Sequence, residues 1–167
     1  GKSRFMDALD GGAWQFGDDS TPQVGVTFFA GTFVRHPVAL AAARAVLLKL
    51  REAGADLQNT LATTTAGLVD EMSEFLAKID CPVKVNGFSS YFYISVPEDQ
   101  AQSGLLFYLL RLYGIHTWQY RPCFLTTAHS AADVRAIADA FRRAVSELVR
   151  HGLLKGDAVA LERLTRG

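Results

Sequence analysis

The sequence is poor in the residues that staple or anchor a chain. Only two of its 167 residues are cysteine, Cys81 and Cys123. They fall in separate segments with no second thiol or paired histidine nearby, which excludes a disulfide framework and a zinc site. They read instead as two small, semi-buried hydrophobes of a reducing compartment. No apolar run approaches the ~18 residues of a membrane span, and the first residues lack the basic-then-apolar order of a signal peptide, so a cytoplasmic location is the default expectation. An excess of one charge is missing as well: 17 basic and 17 acidic side chains cancel, and no net field draws the chain to nucleic acid or to an anionic membrane. Internal repeats and low-complexity tracts are absent.

Self-contained catalytic motifs are missing too. None of the four histidines, His36, His116, His129 and His151, pairs with a carboxylate at metal-ligand spacing, and each reads better as a capping or packing residue. There is no Gly-x-Ser-x-Gly elbow and no glycine-rich phosphate loop followed by lysine. Asp18 and Asp19 are adjacent in a loop and point apart, which suits a solvated turn better than an acid and a base. The sequence therefore assigns no catalytic residue and no metal ligand.

What is present is the 49% hydrophobic, 20% charged composition of a globular protein large enough for one domain, or for one domain plus the edge of another. A short helix around residues 5–9 ends at Gly11 and Gly12. An aromatic, turn-rich loop follows over residues 13–23. Residues 24–30 read as a strand, interrupted by Gly31 and Thr32. Pro37 suits the first turn of a helix. From it runs an alanine-rich helix to Leu50, apolar on most faces and so expected to lie buried between layers. Gly54 breaks it. A second, amphipathic helix carries Leu57, Leu61, Thr64, Leu68, Met72, Phe75 and Ile79 inward and Gln58, Asp70, Glu71, Glu74 and Lys78 outward.

Residues 83–85 and 91–96 read as an antiparallel pair joined through Asn86-Gly87. Residues 104–113 are helical, with Leu105, Leu106, Leu109, Leu110 and Tyr113 inward. Residues 115–118 and 122–126 supply two further strands. Ser130 and Asp133 form a capping box for a last helix with Val134, Ile137, Ala138, Phe141, Val145 and Leu148 on its buried face. Residues 153–167 look like a poorly anchored tail or linker. This order predicts an α+β fold, with helices packed on one face of a small, mainly antiparallel sheet.

Two ordered motifs rise above this background. Phe29-Ala30-Gly31-Thr32-Phe33, followed by His36-Pro37-Val38-Ala39-Leu40-Ala41-Ala42-Ala43, resembles the Gly-Thr-x-x-x-x-Pro-x-Ala-x-Ala-Ala segment of class III aminotransferases, and of glutamate-1-semialdehyde aminomutases in particular. Phe124-Leu125-Thr126-Thr127-Ala128-His129-Ser130-Ala131-Ala132-Asp133 is similar to the same family's run before its last helix, and Gly114-Ile115-His116 stands at its Gly-Val/Ile-Tyr segment. The stretches Asp10-Gly11-Gly12-Ala13-Trp14-Gln15-Phe16-Gly17-Asp18-Asp19-Ser20 and Trp118-Gln119-Tyr120-Arg121-Pro122-Cys123-Phe124-Leu125 look like those of aminotransferase domains built into polyketide and nonribosomal peptide synthases.

The resemblance implies the C-terminal small domain of a fold type I pyridoxal-phosphate enzyme plus the end of its large α/β domain. Residues 1–36 would close the large domain, 37–152 would form the linking helix and small domain, and 153–167 a tail. It also implies a homodimer in which Gly31 and Thr32 bind the phosphate of pyridoxal 5'-phosphate held mainly by the neighbouring subunit. The glycine allows close backbone approach, and the hydroxyl and N–H can receive a phosphate oxygen; a bulge glycine and a helix-entry threonine is the plainer reading of the same pair.

The lysine that holds the cofactor belongs upstream in this family. Lys2, in Gly1-Lys2-Ser3-Arg4, fits only the first letters of that motif, and Lys49, Lys78, Lys84 and Lys155 have no better claim, since such a lysine must be desolvated or set beside another cation. The chain is thus expected to be inactive alone, needing the N-terminal remainder of the same protein before amino donor and keto acceptor can react. Arg121, between Trp118 and Tyr120, is a candidate for a substrate carboxylate or a carrier's phosphopantetheine phosphate, against a surface arginine packing its stem on those aromatics. Trp14 of the aromatic loop joins it as a candidate substrate contact. Two alternatives stay open: an aminomutase of the glutamate-1-semialdehyde type, and a non-catalytic α+β assembly or regulatory module.

Overall fold

The structure is a computed structural model that describes residues 2–166 apart from 13, 16, 24, 26–30, 35 and 98–101. The strand expected over residues 24–30 lies outside the described residues. Two compact units divide the chain, Gly1–Glu52 and Ala53–Gly167. The division falls at residue 53, whereas the resemblance placed a boundary before Pro37.

In the first unit, α1 (Ser3–Asp10) ends on Gly11, whose left-handed backbone, φ 89°, lets its N–H reach back to the Asp7 carbonyl. The loop that follows is ordered and closes on itself. The Gln23 N–H bonds the Gly11 carbonyl at 2.7 Å, and the Asp18 carboxylate accepts from the Ser20 N–H at 2.8 Å. Asp18 and Asp19 are exposed, as expected of a solvated turn.

The helix α2 (Pro37–Lys78) starts at its proline and is interrupted at Gly54, where φ 65° and ψ −159° take the chain out of helical geometry. Residues 37–50 were expected to be buried; every one of them is exposed. Val38, Leu40, Val46 and Leu47 present an apolar surface that nothing in the described part of the first unit covers.

The second unit holds a single hydrophobic core. From residue 55 onward α2 contributes Leu68, Met72, Phe75 and Leu76, and the turn after it Ile79, all buried, while Gln58, Asp70, Glu71, Glu74 and Lys78 face water as the period required. The inward hydroxyl is that of Thr65 rather than Thr64. It keeps the 3–4 spacing between Leu61 and Leu68, and its Oγ1 donates to the Leu61 carbonyl at 2.8 Å, so its burial leaves no polar group unpaired.

The sheet has the order β1-β2-β3, with β1 (Lys84–Phe88), β2 (Tyr91–Ser95) and β3 (Cys123–Phe124), both pairings antiparallel. The hairpin turn is at Ser89-Ser90, between Phe88 and its partner Tyr91, and not at Asn86-Gly87. Ser89 takes the positive φ, 54°, that a two-residue hairpin needs. Gly87 stays in the strand because a side chain there would come within 2.9 Å of Val69 on α2. Val85, Phe92 and Ile94 enter the core. On the other face Phe88, Tyr91 and Phe124 stand in register across the three strands.

In α3 (Leu105–Leu112) the buried residues are Leu106, Phe107 and Leu110, while Leu105, expected inward, is exposed and Phe107 takes its place. Residues 115–118 are irregular rather than a strand, and the strand expected over 122–126 shortens to β3. The last long helix, α4 (Ala131–Arg150), opens with the expected capping box and buries Ala138, Phe141, Val145 and Leu148. It is tied to α2 by Arg142, whose guanidinium pairs with Glu71 and with Asp139.

The poorly anchored tail is the largest correction. Residues 158–166 form a further helix, α5 (Ala158–Arg166), with Leu154 and Leu161 buried in the core. The Asp157 carboxylate caps it by accepting from the Val159 and Ala160 N–H groups at 2.9 and 3.0 Å. The Asp157 N–H in turn bonds the Ile79 carbonyl at 2.6 Å. Cap and apolar face together tie down a segment that read as a poorly anchored tail or linker.

Two stability predictions follow from these contacts. Leu161→Ala is expected to cost about 2–5 kcal/mol, as for a buried leucine left as a cavity, and Leu164→Ala, half exposed, within about 0.5 kcal/mol; equal effects in urea unfolding would show that α5 is not anchored by Leu161. Ser130→Ala is expected to cost about 1 kcal/mol through the lost cap. The Asp133 carboxyl is held below its ordinary value by the Ser130 hydroxyl and then its N–H, so its contribution is present above the ordinary carboxylate pKa and is lost as pH falls through the depressed one. Asp133→Asn is accordingly expected to flatten the acid side of the stability profile.

Candidate functional site

Two surfaces carry the residues that the sequence singled out, one in each unit. In the first unit, residues 31–34 form a tight turn closed by the Val34 N–H on the Gly31 carbonyl at 3.1 Å. Gly31, Thr32 and Phe33 are all exposed, and Phe33 meets His36 edge to face with ring centroids 6.3 Å apart. The Thr32 hydroxyl and N–H make no hydrogen bond among the described residues. An exposed residue whose N–H and hydroxyl have no partner among the described residues suits an anionic oxygen brought from outside the turn. Trp14, in the closed loop of residues 11–23, is half exposed, with its N–H on the Gly12 carbonyl at 3.0 Å.

In the second unit a groove of about 750 Å3 runs between the 114–118 and 122–129 segments. Phe92, Leu125 and Ile137 lie along it, with His116, Trp118 and His129 among its polar and aromatic lining. Trp118 is 73% exposed, and the Arg121 guanidinium stands 5.4 Å from the centre of its ring. The sequence pointed to Arg121 and its aromatic neighbours. It did not point to the anchors of the loop: Arg111 Nη1 donates to the Thr117 carbonyl at 2.8 Å, and the Thr117 hydroxyl meets Cys123 Sγ at 3.4 Å. Only the i to i+6 separation of Arg111 and Thr117, across a helix end, hints at the first of these.

Three further polar groups of the groove, His129, Asp133 and Cys123, are already engaged. His129 Nδ1 accepts from the Thr126 N–H at 3.0 Å, which leaves its other nitrogen to carry the proton of the neutral ring. Asp133 is committed to the α4 cap. Burial pushes the Cys123 thiol above its ordinary value, so at neutral pH it stays an S–H that anchors the loop rather than a nucleophile. No group of three His, Cys, Asp or Glu able to hold a metal occurs among the described residues, and none of their helices is long and apolar enough to cross a membrane. Lys2, Lys49, Lys78, Lys84 and Lys155 are all exposed.

No family model matches the chain. It is 30% identical over 139 residues to the glutamate-1-semialdehyde 2,1-aminomutase of Laribacter hongkongensis, a match covering 75% of this chain and 32% of that protein. It is also 30% identical over 146 residues to the aminomutase of the same name from Anaeromyxobacter dehalogenans, covering 79% and 33%. The chain thus spans about a third of the length of the curated relatives it matches.

Among solved structures it is similar to a transaminase with PLP bound, with a TM-score of 0.69 at 20% identity over 91% of this chain and 35% of that one. An omega-transaminase from Sphaerobacter thermophilus follows with a TM-score of 0.65 at 24% identity, covering 87% and 34%, and a beta-phenylalanine aminotransferase from Variovorax paradoxus with 0.66 at 21%, covering 93% and 36%. The fold is therefore that of about one third of a class III aminotransferase: helices on a small antiparallel sheet.

Proposed function

We propose that this chain is the C-terminal part of a pyridoxal-phosphate-dependent aminotransferase, which moves an amino group from a donor to a keto or aldehyde acceptor. The observation that carries the reading is the match of 91% of the chain to a transaminase with PLP bound at a TM-score of 0.69. Bound pyridoxal phosphate supplies the electron sink for this chemistry, and the protein supplies orientation and electrostatics.

In this reading Thr32 presents its hydroxyl and N–H to the cofactor phosphate of a partner subunit in a homodimer. The exposed turn of residues 31–34 fits that task, since it closes on itself through Gly31 and Val34 and leaves Thr32 facing out. Arg121 and Trp14 are the proposed substrate contacts. The lysine that holds the cofactor would come from the remaining scaffold of the same protein, and the chain alone is expected to turn over nothing.

The apolar face of residues 37–50 supports the same reading, because an exposed surface of that composition is covered by further protein in most folded molecules. The wording of residues 118–125 supports a finer one, in which the acceptor is carrier-bound in a polyketide or nonribosomal peptide synthase. The second reading is an aminomutase, favoured by the two glutamate-1-semialdehyde 2,1-aminomutases described above. Movement of nitrogen within one molecule of glutamate-1-semialdehyde, with no acceptor added, would select it over transfer between two molecules.

The full-length protein supplied with pyridoxal phosphate is expected to show a protein-bound absorption band in the near ultraviolet to visible range that borohydride abolishes while fixing the cofactor to the protein. Absence of any bound band would contradict the proposal. In the same protein Thr32→Ala is expected to weaken cofactor retention by about 1–3 kcal/mol, as for a hydrogen bond to a charged group. Unchanged affinity on equilibrium dialysis would remove Thr32 from the phosphate site.

A further inference from the structure

The loop that carries Trp118 and Arg121 is held in a conformation it would not adopt freely. Tyr120 has φ 57°, the left-handed region that bulky side chains avoid. Its ring is kept there by an edge-to-face contact with Phe107, centroids 5.3 Å apart, and Phe107 is itself buried in α3. The Arg121 N–H closes a turn on the Trp118 carbonyl at 3.1 Å. Arg111 holds the Thr117 carbonyl before the turn, and Cys123 reaches the Thr117 hydroxyl from behind it.

Gly104 is the less obvious part of this clamp. It precedes α3 with φ −61° and ψ −21°, an ordinary right-handed conformation open to any residue, so the backbone does not call for glycine. Space does. A Cβ at this position would lie 2.6 Å from Gln119 Nε2 and 3.2 Å from the Tyr120 hydroxyl. The missing side chain leaves the room in which the tip of the loop sits.

The product of these restraints is an exposed indole with a guanidinium beside it. An exposed cation–π contact alone is comparable to thermal energy and would not keep the pair ordered. The backbone clamp does, and among the described residues it leaves the guanidinium's donor fork without a hydrogen-bond partner, open to two oxygens. Trp118 also lines the groove described above, which gives the remainder of a ligand a place to lie.

We propose that Gly104 and Tyr120 are positioning residues that preorganise Trp118 and Arg121 to receive an oxyanion, the carboxylate or phosphate of the substrate. The oxyanion part rests on the aminotransferase reading; the positioning part does not. Preorganisation raises affinity by removing the ordering cost that a free loop would meet on binding.

The test uses the 167-residue chain and NMR. In the wild type the Arg121 side-chain protons, assigned through Arg121→Lys, are expected upfield of their random-coil positions because of the Trp118 ring, and Trp118→Leu is expected to return them. Gly104→Ala needs only the Gln119 amide to shift and is expected to reduce the displacement; Gly104→Val also pushes on Tyr120 and is expected to abolish it, with little change in melting temperature. Tyr120→Gly, which removes the ring contact while relieving the backbone, is expected to do the same and serves if the valine variant does not fold. Titration with pyruvate and, separately, with inorganic phosphate distinguishes the two oxyanions; the preferred one is expected to bind Gly104→Val about tenfold more weakly.

Random-coil Arg121 shifts in the folded wild type, or shifts unchanged in both folded variants, would overturn the positioning proposal. A wild type that responds to neither anion would overturn the oxyanion assignment. Either result leaves the cofactor reading to the borohydride experiment, so the two failures stay distinct.

Discussion

The closure of one apolar core by elements far apart in sequence is the constraint on which residues 53–167 depend. Leu68 and Met72 from α2, Ile79 just after it, Phe92 and Ile94 from β2, Leu106 and Phe107 from α3, Phe141, Val145 and Leu148 from α4, and Leu161 from α5 belong to one buried cluster. Everything polar is arranged around it. Thr65 bonds its own helix, the Arg142 guanidinium bridges to Glu71 at the rim, and the caps of α4 and α5 satisfy the first N–H groups of those helices at the surface. Because Phe107 lies in that cluster, the core also decides where Tyr120 can sit, and through Tyr120 how the 117–123 loop is presented. The core thus positions the loop and also supplies Phe92 and Leu125 to the floor of the groove.

The first unit differs in kind. Its described residues contain two self-closed turns, at residues 11–23 and 31–34, and an apolar helical stretch with no burial. Local hydrogen bonds give these pieces their shape, while the hydrophobic term that stabilises the second unit is unused. A surface of this sort suits a role in contact with other protein, which is the role that the proposed dimer gives to Thr32.

How much of this was legible beforehand depended on whether the deciding interaction was local. The capping box at Ser130 and Asp133, the breaks at Gly11 and Gly54, and the inward faces of α4 and of α2 beyond Gly54 are set by neighbours within a few residues, and apart from Thr65 standing in for Thr64 they read correctly, whereas residues 37–50, expected buried, are exposed. The hairpin turn did not. Asn86-Gly87 carries the strongest local turn signal, but Gly87 is needed where β1 passes Val69 of α2, and the turn moved to Ser89-Ser90. The helix α5 was missed for the same reason: its apolar residues are few, and its anchor is a bond from Asp157 to Ile79 on another element. At the candidate site the ordered motifs led to Thr32 and Arg121. Gly104 has no sequence signal and Arg111 only its spacing from Thr117, because their importance lies in what they stand next to.

The central claim is that the outward turn at Gly31 and Thr32 completes a phosphate site built mainly by another subunit. A crystal structure of the full-length protein with pyridoxal phosphate tests it most directly. The account predicts a phosphate oxygen about 2.7–3.2 Å from the Thr32 hydroxyl or N–H, with the rest of that cofactor held by the opposite protomer; a phosphate bound out of reach of Thr32, or held with Thr32 wholly within one protomer, would contradict it.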